Sequence, residues 1–201
     1  MKKQFLLLLV VSILGFACTH KDLKPSEEKV LTVINDHMFK TLFYYDSYIP
    51  LETAIDSAIH TPYNDTTILR YAIIINESLK QSAECQEQAK KALEIYGLFG
   101  DIGIKNHRNP QKEFSNYMEE GISYLDKSVA YNDSIRLGAR FINPNFIGWA
   151  ITHKYYSKDT DTITQIFYTD KECTKITSIL NVEDDNYIKC VQIINEILEM
   201  K

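Results

Sequence analysis

The chain has 201 residues, with 22 Lys plus Arg against 27 Asp plus Glu and a formal net charge of −5 at pH 7. That length supports one buried core and leaves little room for two, and an acidic balance without a basic block disfavours nucleic acid as a partner. The four cysteines form no CxxC pair, and neither an HExxH motif nor a His/Cys cluster is present, so a zinc or thioredoxin-type site has nothing to stand on.

Lys2 and Lys3 precede an apolar run from Phe5 to Ala17. The run suits the h-region of a signal peptide and falls short of the roughly 20 residues that span a bilayer. Cys18 closes it. The stretch resembles a bacterial lipoprotein signal, in which the cysteine thiol is alkylated and the new N-terminus acylated. Ala17 and Cys18 match that pattern, while Gly15 and Phe16 replace the usual Leu or Val and smaller residue. The expectation is a signal peptide over 1–17, palmitate-type lipid on Cys18, and a polar tether over 18–26 that holds the protein to a bilayer, the outer membrane of a bacterial cell envelope. With Cys18 so used, Cys85, Cys173 and Cys190 leave room for at most one disulfide. Cys85 and Cys190 read as small apolar residues on helix faces, and a Cys173 to Cys190 bridge stays open.

From residue 27 onward a single domain is expected. Val30, Val33, Ile34, Met38, Thr41 and Leu42 recur at helical spacing behind Ser26 as N-cap. Phe43 to Thr53 crowds aromatics around Pro50 and reads as an extended segment and edge strand. Pro62 and Asn64-Asp65 mark a turn. Behind Asp65 or Thr66 a long helical period runs from Leu69 to Tyr96, Gly97 to Pro110 is a loop, and a second period runs from Phe114 to Val129. A short connection makes these an antiparallel pair.

After Asn143-Pro144 the period changes from 3.6 to 2. Ile147, Trp149, Ile151, His153 and Tyr155 share one strand face. Turns at 157–161 and 170–173 separate strands at 162–169 and 174–180, an antiparallel meander. Tyr187, Cys190, Val191, Ile194, Ile197 and Leu198 define a closing helix. The fold class is therefore α+β: a helical hairpin and terminal helices on a three- to four-stranded antiparallel sheet, with a cystatin-like or NTF2-like arrangement compatible with the element order.

Two segments are similar to uncharacterised exported lipoproteins of gut Bacteroidota. One is Tyr45-Asp46-Ser47-Tyr48-Ile49-Pro50-Leu51-Glu52-Thr53, continuing to Ile55, Asp56 and Ser57; the other is Gly148-Trp149-Ala150-Ile151-Thr152-His153-Lys154-Tyr155, with Asp170-Lys171 after the next strand. The resemblance implies an envelope lipoprotein and carries no catalytic residue with it. It also implies O-glycan acceptors in Asp56-Ser57-Ala58, Asp65-Thr66-Thr67, Asp133-Ser134-Ile135 and Asp161-Thr162-Ile163.

His153 is the single best candidate for chemistry, although its strand face is that of core residues. Tyr44, Tyr45 and Tyr48, beside Phe43 and Asp46, are candidate ligand contacts, because tyrosines bury area at low entropy cost and keep a polar handle. His107 and Arg108 could meet an anion from the loop. Glu119-Glu120 and Asp184-Asp185 are adjacent on helices and diverge, so neither makes an acid/base dyad. No GxSxG elbow and no phosphate loop is present. No cofactor is expected. The expected function is a non-enzymatic binding or structural module that meets a glycan, a peptide or an envelope protein, the alternative being an exported hydrolase using His153 with a distant carboxylate.

Overall fold

Ser26 opens the first helix, α1 (Glu27–Thr41), by accepting a hydrogen bond from the Lys29 amide. The computed structural model describes residues 24–99, 109–158 and 160–200, so Cys18, His107 and Arg108 lie outside the described residues. A single 3₁₀ turn (Tyr45–Ser47) then leads into strand β1 (Ile49–Ile59). Asp65 caps the next helix, α2 (Thr66–Phe99), accepting from the amides of Thr67 and Ile68 at 2.9 Å each. Asn109 and Pro110 start α3 (Pro110–Phe141), with the Asn109 side chain accepting from the Lys112 amide. Strands β2 (Phe146–Ser157), β3 (Thr160–Thr169) and β4 (Ile176–Asn181) follow, and Asp184 caps the closing α4 (Asp185–Glu199).

The fold is α+β, with one antiparallel sheet in the order β1-β2-β3-β4. The meander β2-β3-β4 falls where the period of 2 predicts it. The edge strand expected over Phe43–Thr53 is present from Ile49, but it is displaced: Tyr45–Ser47 form the 3₁₀ turn, and β1 extends through Ile59. Most β1 side chains are exposed, which is what an edge strand with one free side presents, and so its sequence lacks the alternation of a half-buried strand. Helix α3 likewise runs twelve residues beyond Val129, through a polar stretch that α2 and α4 stabilise by packing.

The apolar side chains divide between two clusters. Val30, Ile34 and Met38 of α1 pack on Trp149, Ile151, Tyr155, Phe167 and Cys173 on one sheet face. Ile68, Ala72, Ile75 and Ile135 of the hairpin enclose Cys190, Ile194 and Ile197 of α4. Cys173 and Cys190 thus sit in different clusters, and Cys85, Cys173 and Cys190 are all free thiols.

Gly148 is required by backbone geometry. Its φ is +151°, and a Cβ there would stand 1.9 Å from the Thr169 carbonyl oxygen. The close approach brings the start of β2 against the β3–β4 turn, where the Trp149 indole donates to the Lys171 carbonyl at 2.9 Å. Asp170 organises that turn by accepting from the amides of Thr174 and Lys175.

Candidate functional site

The segments around Tyr48 and His153 meet in space. Thr53 of β1 is the register partner of His153 on β2. The Thr53 hydroxyl lies 2.9 Å from Nδ1 and the Tyr48 hydroxyl 2.7 Å from Nε2 of the same imidazole. His153 is 0% exposed. Its ring stacks on Tyr155 at 5.7 Å and meets Phe167 edge-on at 6.1 Å.

Burial holds the His153 ring below its ordinary pKa, against a smaller opposing effect of the Glu52 backbone, with which it hydrogen-bonds. The Tyr48 phenol is pushed up to about 12 by burial and by neighbouring Tyr45 and Tyr155. A hydroxyl can donate or accept, so in the neutral imidazole that burial favours, one ring nitrogen donates to its hydroxyl partner and the other accepts from its own. Both ring nitrogens are then satisfied by a neutral imidazole. Among the described residues no carboxylate hydrogen-bonds the ring, and it opens into no cleft. The arrangement is a buried polar clasp between β1, β2 and the 3₁₀ turn.

The tyrosines separate by direction. Tyr48 points inward to His153, and Tyr45 stacks on Tyr48 at 5.6 Å with the ring planes 19° apart. Tyr44 faces out, 47% exposed, and Phe43 beside it is 90% exposed, their rings meeting edge-on at 4.7 Å. With Phe39, Leu42, Tyr45, Asp46, Ser47 and Lys158 they line an open hollow of about 560 Å³.

Two contacts fix this shelf. Ser47 Oγ donates to the Tyr44 carbonyl at 2.7 Å and accepts the Lys158 amide at 3.0 Å, tying the turn to the end of β2. The Lys158 ammonium stands 5.8 Å from the centre of the Tyr44 ring, within cation–π range. Chemically, the hollow offers aromatic edges and faces, one carboxylate and one ammonium, a set that suits reversible contact with a sugar or peptide and supplies no nucleophile–base pair.

Of the expected contacts, Tyr44 and Tyr45 reach the shelf, whereas Tyr48 and His153 belong to the clasp beneath it. Phe39 and Lys158 were missed in the sequence. Phe39 stands off the apolar face of α1, and that exposed aromatic was its only local signal; Lys158 had none. Among the described residues no group of His, Cys, Asp and Glu could hold a metal ion, and no helix is long and apolar enough to cross a membrane. Of the glycan-acceptor positions, Ser57 and Thr66 are exposed, and the Ser134 hydroxyl donates to the Ala130 carbonyl within α3. Compared with family models, curated proteins and solved structures, the chain matches none.

Proposed function

We propose that this chain is a lipid-anchored envelope protein acting as a non-enzymatic binding module, and that its ligand, a glycan or peptide chain, sits on the shelf of Phe39, Phe43, Tyr44 and Tyr45. The observation that carries the reading is the outward pair Phe43 and Tyr44, flanked by Asp46 and Lys158 and braced by Ser47. Exposed aromatics cost solubility and are kept where they meet something. The hydrolase alternative draws no support from a histidine sealed between two hydroxyls. The anchor rests on Lys2, Lys3, the apolar run and Cys18.

Glycan and peptide arrays probed with the wild type and a Phe43→Ala/Tyr44→Ala variant test the shelf. Both side chains point to solvent, so the variant keeps its fold. Binding weakened at least about tenfold, equivalent to about 1.4 kcal/mol, is expected; a ligand bound equally by both proteins would remove this surface. Palmitate labelling is expected for the wild type, and its persistence in Cys18→Ser would remove the anchor.

A further inference from the structure

Helix α4 fills only the base of a groove along the helical hairpin. On α2 its neighbour is Ala72, buried with Cys190, Ile194 and Ile197. On α3 it is Arg136, whose Nε donates to the Ile197 carbonyl at 3.4 Å. Steps of seven from Ala72 reach Leu79, Gln86 and Leu93 on the same helix face; stepping back from Arg136 by seven, four, three and four reaches Val129, Leu125, Ile122 and Met118. The two strips border one groove, since Ser82 and Gln86 of α2 line a cleft together with Met118, Gly121, Ile122 and Leu125 of α3.

Along this distal half the strips are uncovered among the described residues. Leu79, Leu93, Ile122, Leu125 and Val129 are each 40 to 59% exposed. The opposite side of the hairpin is more polar, carrying Gln81, Glu84, Gln88 and Glu120 beside the half-buried Ile74, Ile95 and Tyr124, whose hydroxyl donates to Glu120. Between the two helices the packed residues are small: Ser78, Ser82, Cys85, Ala89 and Ala92 against Gly121 and Ser128. A pair of helices so packed buries little on its own, and Leu79, Leu93, Ile122, Leu125 and Val129 lie together on one side of it.

We infer that this distal face is the interface of a homodimer, in which two hairpins pack antiparallel into a four-helix bundle. The groove is the continuation of an interface that already takes a helix, so its occupant is helical. Two strips side by side need a partner two helices wide, which a second hairpin supplies. Half-open side chains at these positions expose roughly 500 Å² per copy, so pairing removes roughly 1,000 Å², the threshold of a specific interface. Because α4 occupies the base of the same face, the copies meet through their distal halves, with α3 against α3 and Ile122 and Leu125 near the two-fold axis. This interface is independent of the aromatic shelf.

Sedimentation equilibrium of the full chain between about 1 and 200 µM is the test, with Ile122→Glu and Val129→Glu on the face and Glu84→Ala on the polar side as a control. A wild-type dimer is expected, unchanged in Glu84→Ala. Each face variant is expected to dissociate at least tenfold more readily while keeping the helical circular dichroism of the wild type. Val129 is the most open of these positions, so its variant stays folded and keeps the test decisive if Ile122→Glu unfolds. A wild type that is monomeric throughout, or a dimer unaffected by a folded face variant, would overturn the inference.

Discussion

The Tyr48 hydroxyl and Nε2 of His153 stand 2.7 Å apart although 105 residues separate them in the chain. Together with Thr53 on Nδ1, this contact joins the turn before β1 to the middle of β2 through a side chain that has no exposed surface. A buried imidazole with both nitrogens satisfied stabilises the fold modestly, yet removing either partner is costly because the other is left without water.

Acid should therefore loosen the protein from near neutrality downward. The folded His153 pKa lies below its unfolded value, so the unfolded chain takes the proton first. The contribution is full above about pH 6.5 and is lost as pH falls through the folded value. Denaturant titrations from pH 8 to 4 should show falling stability below about pH 6.5. In His153→Gln that part of the slope should vanish, leaving a lower stability at pH 8; a slope that persists in the variant would place its origin elsewhere.

Tyr48→Phe keeps the ring stack and deletes the hydrogen-bond partner of Nε2. A loss of about 1–3 kcal/mol is expected, read from the urea midpoint. The wild-type phenol, pushed up to about 12 by burial and by Tyr45 and Tyr155, should also ionise later than an ordinary tyrosine. Its raised pKa contributes stability that is full below about pH 10 and lost as pH rises through about 12. Ultraviolet titration of wild type against the variant isolates that step.

Gly148→Ala should be among the most damaging single substitutions. The new methyl would meet the Thr169 carbonyl oxygen at 1.9 Å, with the Thr169 and Asp170 backbone carbons behind it, so that backbone must shift to admit it. A loss of at least about 3 kcal/mol is expected, and a melting temperature within a degree of wild type would refute the packing described for this corner.

Asp65→Ala removes the cap of α2 and should cost about 0.5–2 kcal/mol, with Asp65→Asn recovering most of it at pH 7. Burial alone would raise this carboxyl, but the Ile68 and Thr67 amides and His60 outweigh it and leave its pKa below the ordinary value. The contribution is accordingly present above the ordinary carboxylate pKa and lost as pH falls through the folded one. Melting temperatures of the three proteins at pH 7 and pH 3 check both statements.

Much of the fold was legible locally. The apolar periods of α1, α2 and α4, the caps Ser26 and Asp65, and the change of period at Asn143-Pro144 are decided by backbone sterics, side-chain oxygens and burial of one face, all of which act over a few residues. The α+β class and the meander follow from them. What tertiary structure decided depends on contacts between distant segments. The pairing of β1 with β2 makes a strand of a sequence with no alternation. The same pairing turns Tyr48 and His153 inward while leaving Tyr44 outside, so residues that look equivalent along the chain part into a buried clasp and an exposed shelf. Which helix face stays bare is likewise a tertiary fact: Ala72 and Leu79 occupy one stripe, yet Ala72 is buried in the cluster with Cys190, Ile194 and Ile197 of α4 while Leu79 is exposed.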